Sequence, residues 1–123
     1  MTDTSNRKAE LLSSPVEHID IASFDGRVII DAWEKMSFSS RDAARAARIL
    51  QQAVADPDCA VILTLAGSTS AGGCMHVWRD MVENNMIDAI VATGASIVDM
   101  DFFEALGFKH YQADEIPDDR VLR

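Results

Sequence analysis

The sequence predicts an α/β fold in which helices flank a parallel sheet, and three observations carry that prediction. Residues 59–65 (CAVILTL) form a nearly continuous apolar run without alternation. That is the pattern of a strand buried on both faces of a parallel sheet. Residues 87–92 (IDAIVA) supply a second such strand. Each run passes through a loop of small residues into an apolar-periodic segment, so the order from 59 to 106 is strand, loop, helix, strand, loop, helix. A βαβα order implies a parallel pair joined by a right-handed crossover. At 123 residues the chain is one domain's worth of sequence.

Each element follows from local pattern. Residues 1–14 are mostly polar and aperiodic, and a mobile arm is expected there. Residues 15–58 form a largely helical segment. It opens with a short extended piece suggested by Ile19 and Ile21 and punctuated by Gly26. Val28, Ile29, Ala32, Trp33 and Met36 recur at helical spacing. Ser37, Ser39 or Ser40 then offers an N-cap for a helix over 41–55, with Ala43, Ala46, Ala47, Leu50 and Val54 on one face. Asp56-Pro57 ends it, because the residue before proline is pushed out of helical geometry. Residues 59–112 hold the βαβα unit. Its first helix is expected over 71–84, on Met75, Val77, Trp78, Met81 and Val82. Its last is expected over 100–106, with Gly107 as C-cap. Residues 113–123 read as an acidic tail or as the start of a further half, with no obvious final element.

Composition narrows the function classes. Apolar residues make up 48% and charged residues 25%, which excludes collagen, low-complexity disorder and disulfide-stapled scaffolds. The apolar runs fall far short of the roughly 20 residues that span a bilayer. Net charge is −9. Such a surface repels phosphate backbones and argues against nucleic acid. It attracts cations, polyamines included, although solubility alone accounts for many acidic surfaces. Cys59 and Cys74 fit no zinc or CxxC spacing and read as reduced, partly buried thiols. No apolar segment follows the charged N-terminal residues, so no secretory signal is expected and the cytoplasm is the default location.

Chemistry is expected at the carboxyl ends of the strands, where open α/β sheets bind ligands. Two small-residue loops begin there. Gly67 to Gly73, a run that holds Gly67, Ser68, Thr69, Ser70 and Ala71, is the candidate cradle for a pyrophosphate, because small residues admit close backbone approach and a helix start offers N–H groups to phosphate. Thr93, Gly94, Ala95 and Ser96 form the second loop, and Asp99 is placed to meet a ribose hydroxyl or a cation. The full G-x-G-x-x-G pattern is absent, so a ligand-free strand-to-helix turn stays open as the alternative. His18, His76 and His110 show no spacing that shares a metal, and each reads more readily as structural. No serine has the nucleophile-elbow context. Asp99 and Asp101 do not face each other on a helix. Trp33 and Trp78 read as core or subunit-interface residues. No residue is assigned a catalytic role and no metal is expected.

The stretch 61–111, VILTLAGSTSAGGCMHVWRDMVENNMIDAIVATGASIVDMDFFEALGFKHY, resembles the amino-terminal half of the deoxyhypusine synthase family, and most closely its bacterial deoxyhypusine synthase-like and homospermidine synthase-like members. PVEHIDI and FSSRDAARAARIL upstream are similar to that family too. The specific motifs are LTLAGS with its small-residue turn, MVENNMIDAIVATGA, and DFFEALGFKHY. The resemblance implies a Rossmann-like fold, NAD as cofactor, and spermidine as the donor of an aminobutyl group. An enzyme lysine carries that group to a protein lysine or a small amine, in active sites between subunits of a homo-oligomer. By the same resemblance, NAD contacts fall on Gly67, Ser68, Thr69, Ser70 and Ala71, and on Thr93, Gly94 and Ala95.

Three departures stand out. A pair of adjacent family glutamates corresponds to Val98 and Asp99, so one acid is lost and the other shortened. Ser68-Thr69 replace a more usual apolar pair. Family chains are also considerably longer, and their further half supplies the catalytic lysine; Lys8, Lys35 and Lys109 match no such motif. The expected function is therefore the NAD-binding amino-terminal portion of an aminobutyl transferase, incomplete alone. The runner-up is a non-catalytic interaction protein docking through Trp33, Met36, Trp78 and Met81. A third option is an unrelated anion-binding module.

Overall fold

A computed structural model describes residues 4–113 and 118–122 of the chain; the side chains of residues 4, 5, 99, 121 and 122 are not described. The acidic stretch 114–117 lies outside the described residues. The elements run α1 (Thr4–Leu11), α2 (Arg27–Glu34), α3 (Phe38–Ala55), β1 (Ile62–Leu65), a π-turn (Ser70–Cys74), α4 (Met75–Glu83), β2 (Ala89–Ala92), α5 (Gly94–Ser96), a second π-turn (Ile97–Asp101), α6 (Phe102–Ala105) and α7 (Asp119–Leu122). They divide into two compact units. One holds Met1–His18, Ala66–Met75 and Thr93–Arg123; the other holds Ile19–Leu65 and His76–Ala92.

The second unit carries the sheet. β1 and β2 pair in parallel, with Ile62 opposite Ala89 and Leu65 opposite Ala92. Asp88 closes the start of the ladder: its carboxylate accepts the Val61 N–H at 2.7 Å, and its own N–H donates to the Val61 carbonyl at 2.9 Å. α2 and α3 pack together, and Arg48 of α3 reaches across to Asp31 and Glu34 of α2. α4 ends in a Schellman motif. Asn85 takes φ +53, its N–H meets the Val82 carbonyl at 3.1 Å, and the Met86 N–H meets the Met81 carbonyl at 2.8 Å.

The first unit is built from the segments around the loops. α6 also closes with a Schellman motif, on Gly107 at φ +93. The Gly107 N–H bonds the Glu104 carbonyl and the Phe108 N–H bonds the Phe103 carbonyl. The Phe103 and Phe108 rings meet edge to face at 5.9 Å, the apolar contact that accompanies such a cap. Pro15 and Tyr111 form an isolated antiparallel bridge.

Several expectations are corrected here. The strands are shorter than the apolar runs, and they are not buried on both faces. Burial alternates, leaving Ile62, Thr64, Ala89 and Val91 on an exposed face, with Ile62 and Val91 each 61% exposed. Among the described residues the buried apolar side chains are Ala44 and Trp78. Thr4–Leu11 is helical instead of aperiodic, supported by an Arg7–Glu10 pair one turn apart at 2.8 Å. No strand forms around Ile19 and Ile21. The last helix starts near Gly94, six residues ahead of expectation, because a π-turn joins α5 to α6. Cys59 is exposed; Cys74 is half-buried, and both are free thiols. Among the described residues no helix is long and apolar enough to cross a membrane.

Candidate functional site

The register that sets Leu65 opposite Ala92 makes both strands end level, so the two loops begin side by side. Within their own unit they are tied together: the Ser96 hydroxyl, fully buried, donates to the Gly67 carbonyl at 2.9 Å. Gly67 sits at φ +76, where a larger residue would be strained, and open space surrounds the position a Cβ would take. The Ala71 N–H points at the Met100 sulfur at 3.4 Å, a second link between the loops.

The residues predicted from sequence separate by burial. Gly67, Ser68, Thr69, Thr93 and Gly94 are exposed, and Ala71 and Ala95 are half-buried. Ser70 is 1% exposed, and its hydroxyl meets no hydrogen-bond partner. The Asp99 backbone falls in the second π-turn, while its side chain lies outside the described residues. An open depression of about 380 Å³, lined by Arg7, Glu10, Ser13, Ser14 and Gln112 among others, includes none of the predicted residues.

Three features go beyond the sequence reading, two of them roles for residues already placed in the loops. Gly73, at φ +93, puts the kink between the first loop and α4; a Cβ there would lie 2.8 Å from the Glu17 carbonyl oxygen. Ser96 stitches the loops, and nothing in its spacing distinguishes it from its neighbours. The third is a cluster around Glu104. One carboxylate oxygen meets His18 Nε2 at 2.6 Å and the other meets His110 Nδ1 at 2.8 Å. Burial raises the Glu104 pKa, but the hydrogen bonds from His110 and His18 outweigh it and leave the carboxyl below its usual range. The histidines thus meet a carboxylate, and among the described residues no group of side chains is arranged to hold a metal.

Known proteins agree with the motifs. Residues 28–123 match the family model described as deoxyhypusine synthase. A deoxyhypusine synthase-like protein of Caulobacter vibrioides is 71% identical over 119 residues, covering 97% of this chain and 32% of its own length. One from Coxiella burnetii is 63% identical over 116 residues, covering 94% of this chain and 33% of its own. One from Chlorobaculum tepidum is 47% identical over all 123 residues, which is 35% of its length. The chain spans about a third of the length of these curated relatives. By the extent of the family match and by these identities, the chain belongs to the deoxyhypusine synthase family.

Proposed function

We propose that this chain is the NAD-binding amino-terminal portion of a deoxyhypusine synthase-like transferase, one that moves an aminobutyl group from spermidine to an amine acceptor. The observation that carries the proposal is the pair of small-residue loops that begin level with each other and are stitched by Ser96 to Gly67. The exposed backbone of 67–69 and 93–94 would meet the cofactor's phosphates first. The Ser70 hydroxyl, which meets no hydrogen-bond partner, is a further donor in the same loop. NAD, when bound, supplies the hydride acceptor for oxidation at the amine carbon. This chain's own contribution is to bind and orient. None of its lysines matches the group-carrying motif, so that step falls to residues in the relatives' remaining length or in a second subunit. A homo-oligomer with shared sites is part of the same proposal.

The exposed face of the sheet supports an assembly larger than these residues, since parallel sheets are covered on both sides. The competing interaction-only role keeps Trp33 and Met36, which are exposed, but loses Trp78, which is buried.

Calorimetry and a turnover assay test the proposal together. The chain alone, with NAD, spermidine and putrescine, is expected to show no turnover. NAD heat is expected to be weak alone, and to grow when the chain is co-expressed with the remaining two-thirds of the Caulobacter relative. Absence of NAD heat in both states would favour the interaction-only role. Robust turnover by the chain alone would overturn the division of labour.

A further inference from the structure

We propose that His18, Glu104 and His110 form a clasp of positioning residues that holds segment 14–18 against Gly73 and so fixes the geometry of the 67–74 turn. Its bearing on ligand binding rests on the function proposed above; the clasp itself does not.

Three sets of contacts converge on that segment. On one side it pairs with the backbone after α6: the Val16 N–H donates to the His110 carbonyl at 2.8 Å, and the Gln112 N–H donates to the Ser14 carbonyl at 2.9 Å. On the other, the Glu17 carbonyl lies so close to Gly73 that a Cβ there would be 2.8 Å away, with Val16 Cγ1 at 3.6 Å. At its end, the His18 ring is held by Glu104. The next residue along from the carbonyl that abuts the turn is therefore the one gripped by the carboxylate. The same carboxylate grips His110, whose carbonyl pairs with Val16. One ionised group fixes both margins of the strap.

The chemistry of the clasp is specific. An ionised carboxylate only accepts hydrogen bonds, so both imidazoles must donate. His18 then carries its proton on Nε2 and His110 on Nδ1, opposite tautomers imposed by one partner. A second proton on either ring makes its bond charge-assisted and stronger. Only neutralising Glu104 opens the clasp. Because the folded carboxyl titrates below its usual range, the clasp's stabilisation is present above the ordinary carboxylate pKa. It is lost as pH falls through the lower, folded value. The other ionisable groups on the packed segments are Glu17, Cys74, Asp101, Lys109 and Tyr111; the charges acting on Glu104 are those of the two histidines.

Hydrogen exchange on the 123-residue chain tests this without any ligand. The reporters are the Gly72 and Cys74 amides, bonded to the Ser68 and Thr69 carbonyls; Met86, bonded to Met81 in the other unit, is the control. Glu104→Gln replaces one acceptor oxygen by an N–H2 donor. It should lower protection at Gly72 and Cys74 by about tenfold, leave Met86 unchanged, and remove the acid limb of the protection profile. His110→Gln, at a partly exposed ring, should give a smaller loss at the same two amides. Nitrogen-15 shifts of the unsubstituted chain, taken at a pH where both rings are neutral, should show the Nε2–H tautomer at His18 and the Nδ1–H tautomer at His110. Unchanged turn amides in both variants would overturn the proposal. So would Met86 falling in step with the turn amides in both, or the two rings sharing one tautomer. Because no readout uses NAD, failure here leaves the proposed function standing, and failure of NAD to bind leaves the clasp standing.

Discussion

Gly73→Ala is expected to destabilise the chain by roughly 3 kcal/mol, read as a lower urea midpoint at unchanged slope. Two effects add. Gly73 sits at φ +93, where an L-residue pays a steric penalty of about 1–2 kcal/mol. The new methyl would also stand 2.8 Å from the Glu17 carbonyl oxygen, which is backbone and has no rotamer to yield. Forcing that shift costs about 1–3 kcal/mol. Gly72→Ala is the internal control. Its Cβ would meet nothing within 4 Å and its φ is not positive, so Gly72→Ala should be neutral or stabilising by up to about 1 kcal/mol. If the two variants melt alike, the Glu17 contact is not what demands glycine at 73. The same substitution should weaken NAD heat in the complemented assay, because the first loop would be displaced.

Trp78→Ala should cost more, about 3–5 kcal/mol, the usual range for deleting a buried indole. Trp78 is the large buried apolar side chain among the described residues. Trp33→Ala is the comparison: at 36% exposure it should lose less than half as much. Far-ultraviolet dichroism in urea reads both, and Trp33 fluorescence follows the Trp78 variant independently. Equal losses would mean that the α2 face carries as much of the packing of that unit as α4.

Element type was legible where a local pattern decided it. The period of Val28, Ile29, Ala32 and Trp33 marked α2, and Pro57 marked the end of α3. The two strands and their parallel pairing were legible too. Their burial was not, and the reason is physical: Ile62 and Val91 are composed for a sheet with both faces covered, while these residues cover one. An apolar run carries no sign of whether its cover lies within these residues. π-turns were also invisible, since a 3.6-residue period carries no sign of a widened turn, and the small residues at 93–96 read as a loop. Of the site, the loop residues were named from composition and resemblance. Ser96 and the Glu104 cluster depend on tertiary approach. His18 and Glu104 are 86 residues apart, and no spacing rule reaches that far.

The bare side of the two-stranded sheet also governs how this polypeptide behaves in a tube. Ile62 and Val91, together with Phe38 at 86% exposure and Val28 at 73%, present oily surface that water tolerates poorly. Among the described residues each strand also keeps one unpaired margin. Copies will therefore satisfy one another when crowded, so midpoints of melting will climb with protein concentration. Dilution series belong in every stability comparison made with it.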